Sequence, residues 1–362
     1  MRLTADLRMY RHSGIGRYLR NVFPRLLPLL GGDKVRVLAP AAAVAGAPWL
    51  SDARVEHIDV SAPIYSPQEQ LLGLRGAYRE SDLLWVPHYN APLWHSRKMV
   101  VTIHDVAPLA IPEILGNALK RGYAKLLIER AVKQASAILC VSQFTESELV
   151  SRLGVDARKM TVTPLGLDND WPVAAAPQVE ADGSPYLLYV GNVKPNKNLS
   201  LLLKAFAAVR NRMPHRLVLA GKIRGFSSGD EAVIRQASAM GDRVRFAGEV
   251  SDAELCRLYA GASALVLPSL YEGFGLPVLE AMQLGCPVLA STAGSLPEVG
   301  GDAAFYFDPH SVEDLAERLL ETLDAAAMRE LRERGFARVR EFSFERCAVQ
   351  SARVMNNLLG VN

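Results

Sequence analysis

Short apolar segments alternate with longer stretches of helical periodicity along the chain, and this alternation restricts the possible fold most strongly. Most of the short segments are continuously apolar, which is typical of strands in a parallel sheet covered by helices on both faces. Helical spacing marks Ala118–Gln134 and Thr145–Leu153 between them. The strands predicted for the first half are Val35–Ala39, Val55–Val60, Leu83–Val86, Val100–Ile103, Ala137–Val141 and Thr161–Thr163. The pattern indicates a doubly wound α/β domain.

The alternation is interrupted once, by residues 168–185, which hold three prolines and no sustained period. We interpret this segment as a linker between two domains, 1–167 and 186–343. The strands predicted after it are Tyr186–Val190, Leu217–Ala220, Val244–Ala247, Ala264–Leu267, Pro287–Ala290 and Ala303–Phe307. The helical stretches that close the chain are Val312–Leu323, Ala325–Glu341 and Phe344–Leu359. Two such domains place a ligand cleft between the carboxyl ends of two sheets.

Composition excludes several classes of protein. The 362 residues carry a net charge of +3, too balanced for nucleic acid as the main partner. The widely spaced cysteines predict reduced core residues of a cytosolic protein; they are Cys140, Cys256, Cys286 and Cys347. No signal peptide is evident, and no run approaches the ~18 apolar residues of a spanning helix. We therefore expect a cytoplasmic protein that is soluble or rests on a membrane.

Residues 269–280, SLYEGFGLPVLE, form the most informative segment. The predicted strand Ala264–Leu267 leads into a turn with Gly273 and Gly275. A helix is expected to begin near Pro277, because proline's missing N–H would have no partner in a first turn. Glycines let backbone amides approach a ligand, and a helix N-terminus favours an anion. The segment predicts an anion-binding pocket.

Two carboxylates, Glu272 and Glu280, flank that pocket. Taken alone, two glutamates at this spacing are more often a surface turn residue and a solvated helix residue. The full phrase EGFGLPVLEAMQLGCPV, however, resembles the E-x7-E motif of retaining GT-B glycosyltransferases of family 4, which use nucleotide sugars. Further segments match that family in order; they are GIGRYL (14–19), VTIHDVAP (101–108), VSQFTESEL (141–149), TPLGLD (163–168), GNVKPNKNLSLLLKAF (191–206), LVLAGK (217–222) and 244–269.

The resemblance implies a GT-B fold, in which two doubly wound, Rossmann-like domains face each other across a cleft. It also implies that the C-terminal segment 344–362 packs back on the first domain. The N-terminal domain would serve the acceptor and the C-terminal domain the nucleotide sugar.

Lys197 is predicted to hold the donor diphosphate. It lies between a strand and the helix predicted at Leu199–Arg210, where a lysine is mildly unfavourable unless it serves an anion. A charge-assisted contact of this kind contributes roughly 1.5–3 kcal/mol. By resemblance it stabilises the leaving nucleotide diphosphate; the alternative is a solvated lysine.

The same family pattern assigns the other donor residues. Glu272 and the turn Gly273, Phe274, Gly275 and Leu276 would hold the sugar, and Glu280 the ribose hydroxyls. Gly14 and Gly16 are expected in a loop whose amides approach the phosphates; a purely structural turn is the alternative.

The sequence departs from the family at one feature. Asn192 and Asn196 stand where many relatives carry a second basic residue. We expect Lys222 to supply that positive charge, because LAGK ends a strand at the same sheet edge, with Lys194 as the alternative.

Polar residues follow two strands of the first domain. His104 resembles the histidine that lies against the donor sugar and stabilises positive charge through its carbonyl or ring; a structural hydrogen bonder is the alternative. His88, Tyr89 and Asn90 form a cluster suited to a sugar or lipid-diphosphate acceptor, or an ordinary loop packed by its aromatics.

These features predict transfer of a hexose to a glycan or polyprenyl-linked glycan, with retention. No DxD and no metal-ligand spacing of histidines occurs, so we expect no metal and no cofactor besides the donor. The phrases GIGRY, TIHD and SLYEGFGLPVLEAM are common among bacterial mannosyl- and rhamnosyltransferases of surface polysaccharides, so the favoured donor is GDP-mannose. The alternatives are a GT-B epimerase or phosphorylase, and a catalytically silent binding subunit.

The N-terminus is locally basic, with six arginines and one acid before residue 31. In Gly16–Leu30, three arginines interleave with leucines and Phe23, a pattern suited to an anionic membrane surface. The alternative is an amphipathic helix packed on its own sheet.

Overall fold

The computed structural model of the chain divides into two compact units. The structure describes residues 1–12, 14–60, 62, 64–66, 70, 78, 80–93, 97–167, 183–222 and 230–361. Unit 1 comprises Met1–Ala110, Asn117–Gly166 and Ser343–Asn362, and unit 2 comprises Ile111–Gly116 and Leu167–Phe342. Of the predicted linker 168–185, residues 168–182 lie outside the described residues.

Unit 1 is built on a seven-stranded parallel sheet with the order β3-β2-β1-β4-β5-β6-β7. Its strands are β1 (Arg2–Asp6), β2 (Lys34–Ala39), β3 (Val55–Asp59), β4 (Leu83–Val86), β5 (Lys98–Ile103), β6 (Ala137–Cys140) and β7 (Met160–Val162). Its helices up to residue 166 are α1 (Gly14–Leu26), α2 (Ala41–Val44), α3 (Ala107–Ala110), α4 (Ala118–Gln134) and α5 (Gln143–Leu153). The strand order reverses between β1 and β4, the position at which doubly wound sheets bind ligands.

Unit 2 repeats this plan with a six-stranded parallel sheet of order β10-β9-β8-β11-β12-β13. Its strands are β8 (Tyr186–Val190), β9 (Arg216–Ala220), β10 (Val244–Gly248), β11 (Ala264–Leu267), β12 (Val288–Ser291) and β13 (Ala304–Phe307). Its helices are α6 (Leu199–Val209), α7 (Asp230–Ser238), α8 (Asp252–Gly261), α9 (Leu276–Gln283), α10 (Leu296–Gly300), α11 (Val312–Glu321) and α12 (Ala325–Val339). The switch point lies between β8 and β11.

Short 3₁₀ turns connect several of these elements; they are Leu27–Leu29, Pro48–Ser51, Pro112–Leu115, Ala157–Lys159, Pro195–Lys197 and Gly241–Arg243. The predicted strands agree with the observed ones to within two residues at each end, and the predicted doubly wound α/β architecture is confirmed for both sheets. All four cysteines are buried free thiols. Within the described residues, no helix combines the length and apolar character needed to cross a bilayer.

The C-terminal helix, α13 (Phe344–Leu359), belongs to unit 1 and packs against α1. Its N-terminus is tightly seated, because a Cβ at Gly166 would lie 2.2 Å from Phe344 N. Asn356 Nδ2 donates to Leu29 O at 2.9 Å near the other end of the helix. Unit 1 is therefore built from both ends of the chain.

Candidate active site

Lys197 and Glu272 form an ion pair at the switch point of unit 2. Lys197 Nζ donates to Glu272 Oε1 at 2.6 Å. Lys197 lies in the loop after β8 and Glu272 in the loop after β11, so the pair joins the loops on both sides of the switch point. The side chains are 20% and 15% exposed, respectively. The structure thus brings together two of the residues named from sequence.

Glu272 is held from its side chain and from its backbone. Ser269 Oγ donates to the same Oε1 at 2.6 Å, and the buried Ser269 carbonyl accepts from Ser291 Oγ at 2.5 Å. Glu272 O accepts from the backbone N–H and the Oγ of Ser295, at 3.1 and 3.0 Å. Gly294 has a φ of +66°, and a Cβ there would lie 2.6 Å from Glu272 O. The carboxylate is therefore preorganised. Ser269 opens the motif, but sequence analysis gave it no role.

Asn196 and Asn192 replace the expected second basic residue and instead tie loops together. Asn196 Nδ2 donates to Tyr271 O at 3.3 Å, and Asn196 O accepts from Leu270 N at 2.7 Å. Asn192 Oδ1 accepts from Lys222 N at 2.9 Å. These bonds fix the loops after β8, β9 and β11 relative to one another. The Lys222 side chain is exposed at this sheet edge.

The loop between Lys197 and α6 depends on Asn198, which adopts the left-handed conformation with a φ of 53°. Asparagine tolerates this conformation better than most residues. Its Nδ2 donates to Pro309 O at 2.8 Å, which secures the turn. Asn198 thereby fixes the direction in which the preceding lysine leaves the loop.

The predicted glycine-rich turn and helix start are both observed. Gly273 is partly exposed, and Gly275, with a φ of +99°, precedes the first helical residue, Leu276. A Cβ at Gly275 would lie 2.8 Å from Leu296 Cδ2, and the positive φ itself strains any residue other than glycine. Phe274 is buried and packs edge to face on Phe342 at 5.8 Å between ring centroids. The turn presents backbone to the site because its one large side chain points into the unit.

Glu280 lies on α9 and is only 3% exposed, which contradicts the alternative of a solvated helix residue. Its Oε2 accepts a hydrogen bond from Tyr259 Oη at 2.9 Å. Tyr189, beneath the same switch point, has its pKa raised by burial and further by the charge of Glu272. The Tyr189 phenol is therefore neutral, and it donates to Asn192 O at 3.4 Å.

His104 follows β5 in unit 1. A hydrogen bond of 3.0 Å joins His104 Nε2 to Pro87 O, and a carbonyl only accepts, so Nε2 carries the proton. Burial lowers the pKa of His104 to about 4. Its ring packs edge to face on Tyr18 at 4.9 Å, and its carbonyl accepts from Thr145 Oγ1 at 3.4 Å. The ring is neutral and held in place, as expected of a structural hydrogen bonder, but residue His104 remains partly exposed to solvent.

The predicted acceptor cluster follows β4 and is tightly linked. The His88 and Tyr89 rings pack at a tilt of 37° with 4.0 Å between their centroids, and Asn90 N donates to His88 Nδ1 at 3.3 Å. Burial lowers the pKa of His88 well below its usual value, with the charges of His104 and His12 adding to the effect. His88 is thus neutral, with its proton on Nε2.

Tyr65 completes this cluster and was missed by sequence analysis. Its hydroxyl lies 3.0 Å from His88 Nε2, and its ring is 6.0 Å from that of Tyr89. The side chain is 42% exposed, on a backbone with a φ of 65°. No sequence pattern marks Tyr65, because its place in the cluster depends on a loop conformation rarely adopted by tyrosine.

Asp6 and Arg8 form a second feature that sequence analysis did not identify. Their side chains are 5% and 4% exposed, and both Asp6 oxygens accept from the Arg8 guanidinium at 2.7–3.1 Å. Tyr78 Oη also donates to Asp6 Oδ2 at 3.3 Å. Asp6 ends β1 and Arg8 follows it, and the two line a small cavity with His88 and Asn90. The sequence feature that could have pointed to this pair is that Asp6 is the one acid among six arginines before residue 31.

The expectation that Gly14 and Gly16 lie in a loop before a helix is wrong, because α1 begins at Gly14. Gly16 lies within its first turn, where a Cβ would be 2.7 Å from Tyr10 O. Gly14 is exposed, with no atom within 4 Å of its Cβ position. The glycines thus place a helix N-terminus, which favours anions, against the loop after β1.

Apart from Leu29, which is 37% exposed, the basic N-terminal segment packs its large apolar side chains into unit 1. Leu19, Val22, Phe23 and Leu26 are fully buried in unit 1, and Arg25 pairs with Glu345 at 3.7 Å. The helix is continuous through Pro24. The alternative of an amphipathic helix packed on its own sheet is therefore the one observed.

Comparisons with known proteins agree with this architecture. The family model "Glycosyltransferase Family 4" matches residues 12–171, and "Glycosyl transferases group 1" matches residues 174–337. An Escherichia coli O-antigen chain mannosyltransferase B is 30% identical, covering 94% of this chain and 95% of the relative. An MMP alpha-(1->4)-mannosyltransferase of Mycolicibacterium hassiacum is 32% identical over 71% of this chain and 64% of its own length.

Among solved structures, sucrose-phosphate synthase from Thermosynechococcus elongatus superposes with a TM-score of 0.79 at 20% identity and covers 99% of both chains. That likeness concerns the fold. With the two family models and a full-length relative in agreement, the chain belongs to glycosyltransferase family 4 and is a glycosyltransferase of the GT-B fold.

Proposed function

We propose that the protein transfers a hexose, with mannose favoured, from a nucleotide diphosphate sugar to a hydroxyl of a glycan or lipid-linked glycan, with retention at the anomeric carbon. The observation that carries the proposal is the Lys197–Glu272 pair across the switch point of unit 2. The E. coli mannosyltransferase similarity supports mannose, and hence GDP-mannose as donor, in surface polysaccharide synthesis.

Donor binding would rearrange the ion pair. The diphosphate carries more negative charge than Glu272, so it takes over Lys197 Nζ in a charge-assisted contact. Glu272, still held by the hydrogen bond from Ser269, then accepts a hydrogen bond from a hydroxyl of the transferred sugar. Lys222 and the amides after Gly273 add positive potential, and Glu280 accepts from the ribose.

The acceptor would bind at the cluster after β4. Tyr65, which is 42% exposed, offers an aromatic face and a hydroxyl group of the kind that contact pyranose rings, and the buried His88 and Tyr89 pack against it. The lowered pKa keeps the His104 ring neutral, so the ring does not repel positive charge that develops on the donor sugar. The negative end of the His104 carbonyl dipole stabilises that charge. The leaving diphosphate accepts the proton of the attacking hydroxyl in a front-face displacement. No cofactor takes part.

We further propose that the reaction occurs in the cytoplasm at the inner face of the cell membrane. Nucleotide sugars are charged and water-soluble, whereas a polyprenyl-linked glycan is anchored in lipid. The described residues offer no cluster of His, Cys, Asp or Glu suited to a metal, so Lys197, Lys222 and the helix N-terminus carry the neutralisation of the diphosphate.

A screen of nucleotide sugars tests the proposal. We expect GDP-mannose to raise the thermal midpoint most and to be slowly hydrolysed to GDP. With a mannoside acceptor, the new glycosidic bond should show α configuration by NMR. Release of an epimerised sugar, phosphorolysis, or binding without turnover of any donor would each contradict a transferase.

A further inference from the structure

We propose that a small polar cavity at the switch point of unit 1 receives one uncharged hydroxyl of the acceptor sugar, an inference that rests on the proposed function. The polar residues that line the cavity are Asp6, Arg8, His88 and Asn90. Asp6 ends β1 and His88 follows β4, so the cavity lies where the strand order of the sheet reverses. The sequence motifs give neither Asp6 nor Arg8 a role.

The cavity is about the size of one water molecule. Its volume of about 10 Å³ is near the lower limit for a bound water. A hydroxyl group fits such a space, whereas a phosphate, with several oxygens around its phosphorus, does not. The sequence leaves open whether the cluster after β4 serves a sugar or a lipid diphosphate, and the size of the cavity favours the sugar.

The charges that line the cavity cancel. Both carboxylate oxygens of Asp6 accept from the Arg8 guanidinium at 2.7–3.1 Å, and Asp6 Oδ1 also accepts from Arg8 N at 3.2 Å. Burial keeps the pKa of His88 well below its ordinary value, so that ring is neutral at neutral pH. The described polar lining therefore has no net charge. Such a lining favours a group that both donates and accepts hydrogen bonds over an anion or a cation.

An anion would not readily take Arg8 away from Asp6. The two side chains are 4% and 5% exposed, and a guanidinium that donates to both carboxylate oxygens forms a rigid pair. Moving Arg8 to a phosphate would leave the Asp6 carboxylate buried without its cation, which is strongly unfavourable. The Lys197–Glu272 pair differs, because its partners are more exposed, at 20% and 15%, and a lysine ammonium turns from one acceptor to another on a flexible stem.

An exposed aromatic ring next to the cavity gives the sugar a surface to pack on. Ile64 lines the cavity and is partly exposed, and the next residue, Tyr65, is 42% exposed. Tyr65 Oη lies 3.0 Å from His88 Nε2, so the tyrosine contacts the wall of the cavity. A pyranose packed on the Tyr65 ring would direct one hydroxyl into the cavity, where carboxylate, guanidinium and amide groups orient it.

Binding of methyl α-D-mannopyranoside and its monodeoxy analogues, measured by NMR titration without any nucleotide sugar, tests this cavity. We expect removal of one particular hydroxyl to weaken binding roughly tenfold or more, the effect of one lost hydrogen bond to charged partners. Removal of any other hydroxyl should matter much less. A phosphate placed on the sensitive hydroxyl should weaken binding to the wild type at least as much as its removal.

Two variants examine the lining residues. Asp6→Asn leaves the Arg8 cation without its carboxylate, so the phosphorylated mannoside should gain roughly tenfold in affinity relative to the parent sugar. Asn90→Ala keeps the ion pair while it removes an amide from the wall, and should reduce the discrimination against the sensitive deoxy analogue by roughly threefold. Melting curves verify the fold of each variant, and Asn90→Ala decides the matter if Asp6→Asn does not fold.

Glu56→Gln is the matched control, because it removes a carboxylate that lies 3.2 Å from another buried arginine of the same sheet, Arg36. It should leave the affinity for every sugar unchanged. The proposal is overturned if the parent mannoside does not bind, if no hydroxyl matters more than the others, or if the wild type binds the phosphorylated sugar as tightly as the parent. Wild-type preferences in both cavity variants would also overturn it. Because no donor is present, these outcomes are separate from a failure of the transferase in the donor screen.

Discussion

Lys197 Nζ and Glu272 Oε1 lie 2.6 Å apart, so the residues expected to bind the donor's phosphates and its sugar satisfy each other's charge before any donor arrives. Each residue is contributed by a different loop at the switch point, and Ser269 Oγ donates a hydrogen bond to the Glu272 carboxylate. Under the proposed function, donor binding would exchange one charged contact of Lys197 for another.

Replacing Lys197 with alanine should lower kcat/KM by roughly 10- to 100-fold, the magnitude of one lost charged contact. Because Glu272 is only 15% exposed, it would lose its partner in a partly desolvated place. A stability loss of about 1–2 kcal/mol should follow. Steady-state kinetics and thermal melts measure the two effects. Lys197→Arg keeps the charge and should restore stability better than activity; normal turnover by Lys197→Ala would refute the diphosphate contact.

Substitutions of Glu280 and Glu272 should differ in which ligand they weaken. Glu280→Gln should weaken GDP and GDP-mannose equally, because both carry the ribose. Glu272→Gln should weaken only the sugar-bearing donor and spare GDP. Calorimetric titration of each variant with both ligands distinguishes the roles.

Tyr259→Phe is the matched control for Glu280, since it removes the 2.9 Å hydrogen bond to Oε2 and leaves the carboxylate. Its effect on both ligands should be smaller than that of Glu280→Gln. Equal losses for both ligands in both glutamate variants would contradict the assignment.

Much of this site was predictable because its signals are local. The motif 269–280 sets a strand, a turn and a helix start within a few residues, and Glu272 and Gly275 lie where the motif predicts. The partnership of Glu272 with Lys197 was not predictable, since the two residues are 75 apart in the sequence and meet only because β8 and β11 are neighbours in the sheet. The loop-linking role of Asn196 follows from the same pairing. No local sequence pattern indicates that Glu280 is buried, because its hydrogen-bond partner Tyr259 lies on another helix, α8, and reaches it only in the folded unit.

The pH dependence of stability should reflect His104. Its pKa of about 4 in the folded chain is below the ordinary value of 6.5, so the unfolded chain binds more protons between these values. The free energy of unfolding should therefore be fully maintained above pH 6.5 and fall as the pH falls toward 4. Urea unfolding at several pH values measures this slope. His104→Asn should reduce the slope, and His88 and His215, whose pKa values are also lowered by burial, should contribute to what remains; an unchanged slope would show that His104 is solvated.

Acceptor recognition should depend on Tyr65. Tyr65→Ala removes both the ring and the hydroxyl next to His88, and should raise the acceptor KM. Tyr65→Phe keeps the ring and should have a smaller effect. Donor hydrolysis in the absence of acceptor should be unchanged in both, which separates acceptor binding from donor chemistry. Equal loss of hydrolysis and transfer would place Tyr65 in the folding of the site instead.

The two glycines of GIGRY should respond differently to alanine. At Gly16 a Cβ would lie 2.7 Å from Tyr10 O and 2.9 Å from Met9 O, so Gly16→Ala must displace backbone and should destabilise unit 1 by about 1–3 kcal/mol. At Gly14 a Cβ meets no atom within 4 Å, and the residue is helical, so Gly14→Ala should leave stability unchanged or raise it by about 0.5–1 kcal/mol. Donor titration of Gly14→Ala then reports on phosphate binding alone. Unaltered affinity for the donor in that variant would limit the role of Gly14 to the start of α1.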